Sequence, residues 1–547
     1  MDLYSEIERI TAEMVAIDSV NGTSGEHNIG IYIENYLRNI PYFKEHPNQV
    51  IVQPLKDDVL NRRNVFAVLR GTKGNSNRTI ILHGHTDTVG VEDFGILKDF
   101  AFNPDALLTE LKKVPLSSEV MDDLDSGDYM FGRGCCDMKS GDAVYMAIAN
   151  ELSSSLDLID GNIILSFNPV EENMHTGIIE GLDFLIEQKE KNNFNYIMAI
   201  NNDYTCPLYA GDEHRYIYSG AVGKLLPCFY IHGKSTHVGQ CLEGFDASLI
   251  ASELINLINL NTYFCDGYHE EYSLPPSVLK LTDLKDFYNV QTSQEAFVYF
   301  NYFVHNSSIE DIIEKLTNAA RTALNNVQEK IERESVNYYA LANMSYTPIK
   351  YNPKVYEYSE ILEIAQNNYD GDLDKELSNY SNELLAAKTD YRDIGLYLTR
   401  KITAIAKIDA PAIVLFFAPP YCPHNTLKEE SAEEKILIEK LENFINKFGA
   451  EENLDYKMLR FFPSLSDSSY IKVDDKPESI NKLFGNFAGQ KELYPLPIDK
   501  IRSLNIPAIN FGTYGKDAHK WTERVNKPYT FGVLPRLVKK ALFEFLR

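Results

Sequence analysis

Apolar and polar positions follow two different periods along this chain. Over residues 4–17 and 29–37 apolar side chains recur every three to four positions, which predicts amphipathic helices. Short uninterrupted apolar runs at 64–69, 79–82, 162–167 and 196–200 predict strands buried on both faces. A helix is expected after Gly141. Helix and strand therefore alternate through 1–214, the pattern of an α/β domain whose functional residues lie on loops after strand ends.

The order changes over 215–348. Strands are expected at 225–232, 277–281, 296–304 and 336–344, with a helix over 246–260 N-capped by Asp246. A long helix puts Ile309, Ile312, Ile313, Leu316, Ala320, Ala323, Leu324 and Val327 on one face, with Ser307 and Glu310 as a capping box. The order βαββαβ is that of a ferredoxin-like sandwich, read as a separate α+β domain inserted into the first. From 349 to 547 the α/β domain is expected to resume. That part holds a buried strand at 412–418, a helix at 433–447, a strand at 508–511 and a closing amphipathic helix. Much of 427–503 is too polar to assign.

Composition narrows the classes. At 547 residues, two or more domains are expected. A net charge of −26 argues against nucleic acid, whose phosphates require clustered Lys and Arg. No basic-then-apolar leader opens the sequence and no apolar run reaches the ~18–20 residues of a membrane span, so a cytoplasmic protein without membrane contact is expected. Seven cysteines, an odd number, fit free thiols in a reducing compartment, and Cys135–Cys136 read as packing residues.

Ligand-type residues stand at the ends of successive strands. His85-Thr86-Asp87 follows one strand, Glu171-Glu172 another and Asp203 a third. Asp137 lies in a glycine-flanked loop, and His519 follows the last strand. Two imidazoles and three carboxylates can hold two divalent metals, with Glu171 left beside them as a base. Asp87 can orient the His85 ring. Taken singly, each also has a plain structural reading: a loop hydrogen bond for His85 and Asp87, a helix N-cap for Asp137, a solvated surface for the Glu pair. Five such positions at strand ends make coincidence a poor account. His83, inside its strand, reads as structural.

These motifs resemble the co-catalytic di-zinc peptidase and deacylase family that includes peptidase T, acetylornithine deacetylase, succinyl-diaminopimelate desuccinylase and aminoacylase. The resemblance rests on 19–23, Gly84-His85-Thr86-Asp87, 132–141, Glu171-Glu172, 233–239 and 519–523. It implies a zinc-exopeptidase-like catalytic domain with a mixed central sheet, and a lid that pairs two chains. His85 and Asp203 would hold one ion, Glu172 and His519 the other, with Asp137 bridging. Zn²⁺ is implied, with Co²⁺ or Mn²⁺ as alternatives. Glu171 would be the general acid/base, Asp87 the residue orienting His85, and His237 a lid histidine that steadies the oxyanion, in trans within a homodimer. Wording at 85–95 and 515–521 resembles an arginine-utilisation subgroup, implying a small peptide or N-acyl derivative of arginine or ornithine as substrate. A general aminopeptidase or dipeptidase, and a catalytically silent binding protein, are the alternatives. Relative to the family, extra sequence stands at 104–125 and about 365–500, and Asn301 occupies the position of a substrate-gripping Arg.

Overall fold

The computed structural model describes residues 2–464 and 466–547, which divide into two compact units. The first comprises Met1–Val222, His424–Val473 and Pro497–Arg547; the second comprises Gly223–Pro423 and Asp474–Leu496.

The first unit is built on an eight-stranded mixed sheet. Its order is Val50–Pro54, Arg63–Arg70, Asn162–Asn168, Arg78–His85, Asn195–Asn201, Ala508–Asn510, Arg215–Tyr218 and Tyr456–Leu459. The four strands Asn162–Asn168, Arg78–His85, Asn195–Asn201 and Ala508–Asn510 run parallel. Asn162–Asn168 is buried at every position, which is why it reads as a continuous apolar run rather than an alternating one. Helices Leu3–Val15, Gly25–Asn39, Ser140–Leu152 and Leu534–Phe545 share one core with Ile80, Leu82, Ile163 and Leu165. The opposite face meets Thr176–Asn192, where Phe184 stacks on Phe66 with ring centroids 4.1 Å apart.

In the second unit the long helix does not stop where a strand was expected at 336–344. It runs from Ile309 to Leu341. Its N-cap is Ser308, whose hydroxyl accepts from Asp311 N–H, rather than a box built on Ser307 and Glu310. The fourth strand of the ferredoxin-like order comes from Ala412–Phe417, which lies antiparallel against Pro227–His232. The sheet order is Ser277–Asp283, Glu295–Val304, Pro227–His232, Ala412–Phe417 and Lys354–Glu357. The apolar run at 412–418 thus belongs to this unit, although the sequence placed it in the α/β domain. A strand buried on both faces looks the same in either sheet. Helices Tyr358–Asn368 and Tyr391–Ile405, the second from the expanded region, cover the sheet face bearing Tyr230, Phe297, Val414 and Phe416. The unit therefore takes in 223–423 and 474–496, more than the 215–348 expected.

Asp266 ties this unit together. It is buried, and its carboxylate accepts from the backbone N–H groups of Gly267, His305, Asn306 and Ser307 and from the Ser307 hydroxyl. Burial raises its pKa, but these donors outweigh that and hold it below the ordinary carboxylate value. A depressed folded pKa adds stability above the unfolded value of ~3.9, and that stability is lost as pH falls through the folded pKa. Asp266→Ala is expected to destabilise the protein by ~2–4 kcal/mol at neutral pH. The difference should shrink in acid, as read from urea midpoints between pH 7 and 3. Equal midpoints at pH 7 would remove Asp266 from this role.

Candidate metal centre

The parallel strands gather the expected residues at one edge of the sheet. His85 ends Arg78–His85, the Glu171–Glu172 loop follows Asn162–Asn168, and Asp203 follows Asn195–Asn201. The loop carrying His519 follows Ala508–Asn510. The register places His85 opposite Asn168 and His83 opposite Asn201, so these loops leave the sheet at nearly one level. Gly84 is required where they converge, since a Cβ there would stand 2.1 Å from Asp142 Oδ1 and 2.5 Å from Asn202 Nδ2.

Asp137 lies between the two histidines. Its Oδ1 is 3.2 Å from His85 Nε2, and its Oδ2 is 3.2 Å from His519 Nε2. His519 Nε2 is also 2.9 Å from Glu172 Oε1. Two triads result, His85–Asp137–Asp203 and Asp137–Glu172–His519, with donor atoms in each within 4.8 Å of one another. They share Asp137, as the resemblance implies for a bridging ligand. Cys135 and Cys136 are buried thiols outside both triads, with Cys135 Sγ 3.2 Å from the Met130 carbonyl.

The charges fit cations. Asp203, Glu172 and Glu171 are all raised above ordinary carboxylate pKa values, first by burial, with Asp137 adding to it at Asp203 and Glu172. The imidazoles of His85, His175 and His519 oppose the rise, and at Asp203 so does a hydrogen bond from the Tyr204 N–H. Burial likewise pushes Asp137 up, but hydrogen bonds from His519 and His85 outweigh it and hold it low. The histidines respond in kind. Burial would depress His85, yet Glu171 and Asp137 raise it well above the imidazole value; His519 rises to about 11 through Asp137 and Glu172 despite its own desolvation. Excess buried carboxylate with mixed nitrogen and oxygen donors is what two divalent cations would neutralise.

Asp87 faces both His85 and the Glu pair. Asp87 Oδ1 is 3.7 Å from His85 Nδ1, and that nitrogen lies closer, at 3.2 Å, to the Asp87 carbonyl. The Asp87 carboxylate also accepts from the N–H groups of Glu171 (2.9 Å) and Glu172 (3.1 Å) and from Asn21 Nδ2 (2.9 Å). It joins the two loops that carry His85 and the Glu pair. His83 is buried, drawn down to about 4 by desolvation, and 3.8 Å from Asp467 Oδ2, in keeping with a structural role. His237 belongs to the second unit, is exposed, and accepts from Gly239 N–H at Nδ1.

Four supporting residues escaped the sequence reading. His175 closes the Glu171–Glu172 loop by donating its N–H to the Val170 carbonyl, and its Nδ1 is 2.8 Å from buried Asp467. Nothing local marks Asp467, which lies in a serine-rich stretch of the unassigned region. Glu523 and Arg133 did carry a signal, one in the 519–523 motif and the other between Gly132 and Gly134. Glu523 accepts from the N–H groups of Cys136 (3.1 Å) and Asp137 (3.3 Å), and Arg133 Nη1 donates to it at 2.7 Å. Arg133 also pairs with Asp93 at 2.8 Å. The Asp137 carboxylate, shared by the two triads, thus sits on backbone that a buried ion pair holds.

Glu523→Gln keeps the shape of that support but not its charge, and is expected to weaken divalent-metal affinity ~10–100-fold. Arg133→Met, which strands a buried carboxylate, should cost ~3–5 kcal/mol of stability. Calorimetric metal titration and thermal melts check both. Unchanged affinity in the first variant would show that Glu523 does not aim Asp137.

The model of the peptidase family M20/M25/M40 matches residues 81–446. The protein RocB of Bacillus subtilis is 37% identical over 551 residues, covering 100% of this chain and 96% of its own length. The protein YqjN of the same organism is 30% identical, covering 99% and 96%. Among solved structures, aminopeptidase PepT from Bacillus cereus superimposes with a TM-score of 0.53 at 12% identity, covering 100% of this chain and 99% of its own. YxeP of Bacillus subtilis, described as a dinuclear metal-binding peptidase of the M20 family, gives 0.51 at 10% identity, covering 100% and 98%. At such identities the likeness carries the fold alone, a mixed α/β fold with a central mixed sheet. A family model matched over most of the chain and a relative aligned over its whole length make this chain a member of the peptidase family M20/M25/M40.

Proposed function

We propose that this protein is a di-metal amide hydrolase that cleaves a small peptide or an N-acyl amino acid. The observation that carries the reading is Asp137, shared by two ligand triads, with buried Glu171 beside them and outside both. His85 and Asp203 would hold one ion, Glu172 and His519 the other, Zn²⁺ being the choice that suits imidazole and carboxylate donors. When bound, such ions supply Lewis acidity to the substrate carbonyl and lower the pKa of water toward ~7.

The chain's own groups do the rest. Glu171 is 7% exposed, and burial raises its pKa well above the ordinary carboxylate value, which suits a carboxylate that must both take and give up a proton. It takes the proton of the attacking water on its carboxylate and passes it to the amide nitrogen as the C–N bond breaks. Asp87, through the Glu171 and Glu172 N–H groups, fixes where that carboxylate stands. His237 is proposed to steady the carbonyl oxygen as it gains charge.

The arginine-utilisation resemblance of the 85–95 and 515–521 stretches supports an N-acyl or peptidyl derivative of arginine or ornithine, and the net charge of −26 favours cationic or neutral substrates over polyanions. Asn301, neutral where relatives carry Arg, favours a second reading. A general aminopeptidase does not need to grip a free α-carboxylate.

A homodimer is proposed through the second unit. Ser277–Asp283 is a sheet edge paired on one side only, and it leaves Leu279 53% and Leu281 49% exposed. An unpaired apolar edge of this kind suits a second copy. His237 would then serve the partner's site.

Two outcomes are expected. Glu171→Gln should keep both ions yet lose ~10²–10⁴ in kcat on N-acyl arginines, N-acyl ornithines and Arg-containing dipeptides. Wild-type turnover in that variant would end the role of Glu171. Leu279→Asp combined with Leu281→Asp should convert a dimer to a monomer by light scattering and lower kcat together with His237→Ala. A fully active monomeric wild type would exclude action in trans.

A further inference from the structure

The family resemblance leaves the extra sequence before Asp137 without a role, and its contacts give it one. Residues 91–131 fold around their own apolar cluster of Val91, Phe94, Leu97, Ala101, Leu107, Leu111, Val120, Leu124 and Phe131. Trp521, two residues beyond His519, packs against that cluster. The strand Tyr129–Phe131 that closes the segment pairs with Arg524–Asn526, which pairs with Gly515–Lys516. The turn between these last two strands carries His519.

A charged clasp locks this junction. Arg524 is 1% exposed, and its Nε donates to Asp123 Oδ2 at 2.7 Å. Its Nη1 donates to Asp517 Oδ2 at 2.5 Å and to the Thr522 carbonyl at 3.1 Å. Lys516 Nζ adds contacts at 2.9 Å to both Asp123 and Glu119. Asp123 and Glu119 come from the helix Ser118–Ser126 of the extra segment, while Asp517 opens the turn. A guanidinium this deeply buried is costly unless its partners are well placed, and apolar residues of equal volume would bind the segment as tightly. What the charges add is direction. The turn needs it, because Asp517 (φ 57) and His519 (φ 65) both adopt left-handed backbone and the His519 side chain is 47% exposed. Packing alone does not hold that imidazole.

We propose that the 91–131 segment, which contains the extra sequence at 104–125, is a positioning device for His519, acting through the Asp123–Arg524–Asp517 clasp to set the affinity of the second metal site. The proposal rests on the reading of His519 as a ligand. It assigns Asp123 and Arg524 as positioning residues without contact to substrate.

The full-length protein offers a direct test, because Trp521 is its single tryptophan. Zn²⁺ is titrated calorimetrically into the apoprotein, and Trp521 emission is followed in parallel. Wild type should bind two ions, with the weaker event changing Trp521 emission. Asp123→Asn should weaken one site ~10–100-fold while leaving the other at wild-type affinity, and should red-shift Trp521 emission. Lys516→Gln, at the clasp's rim, should weaken the same site by less. Lys113→Ala, which removes an exposed ion pair of the same segment, should change neither. His519→Ala identifies which site is affected. Two sites of wild-type affinity in both clasp variants would overturn the proposal while leaving the di-metal reading intact. Equal weakening of both sites would reduce the clasp to general stability and also overturn it. A wild type with one site would overturn the reading and the proposal together.

Discussion

Four parallel strands in fixed register are the constraint on which this molecule's chemistry depends. Parallel pairing points every C-terminal end the same way, so the loops after Asn162–Asn168, Arg78–His85, Asn195–Asn201 and Ala508–Asn510 must converge. A slip of one residue in any strand would turn its side chains to the other face. Apolar residues that fill both faces prevent the slip, which is why these strands carry no polar alternation until their last residues. Core packing and site geometry are therefore set by the same register.

The charge arrangement follows from that convergence. Buried carboxylates crowd one another, and their raised pKa values record a cluster short of positive charge. Around it the protein spends cations on support rather than neutralisation. Arg133 holds Glu523, which in turn aims Asp137, while Arg524 joins Asp123 to Asp517 beside His519. Asp87 performs the analogous task with backbone donors, linking the His85 loop to the Glu171–Glu172 loop. The loops carrying His85, Asp137, the Glu pair and His519 are thus each held by a partner from a different stretch of chain.

The second unit shows how an expanded region is absorbed without changing a sheet. Its ferredoxin-like order is kept, but the fourth strand arrives only at Ala412–Phe417, after the helices Tyr358–Asn368, Leu373–Ala386 and Tyr391–Ile405. Two of these helices bury one face of the sheet against Tyr230, Phe297 and Phe416. Helical periodicity in Ile309–Leu341 continued past the point where Val336 and the tyrosines after it suggested a strand. β-branched and aromatic residues on the exposed side of a long helix mislead local propensity, because the helix is held by its other face.

The sequence by itself determined the parts that local physics controls. Apolar runs gave the central strands to within three residues at each end, and residue type with position after a strand singled out His85, Asp137, Glu171, Glu172, Asp203 and His519. Only the tertiary structure decided what depends on distant partners. Asp467 reaches His175 across 292 residues, Glu523 reaches Asp137 across 386, and Arg524 reaches Asp123 across 401. The same holds for the membership of Ala412–Phe417, since a fully buried strand carries no mark of which sheet it will join. Strand edges and ligand chemistry are written in short stretches of chain, whereas the ion pairs that aim them exist only once folding brings those stretches together.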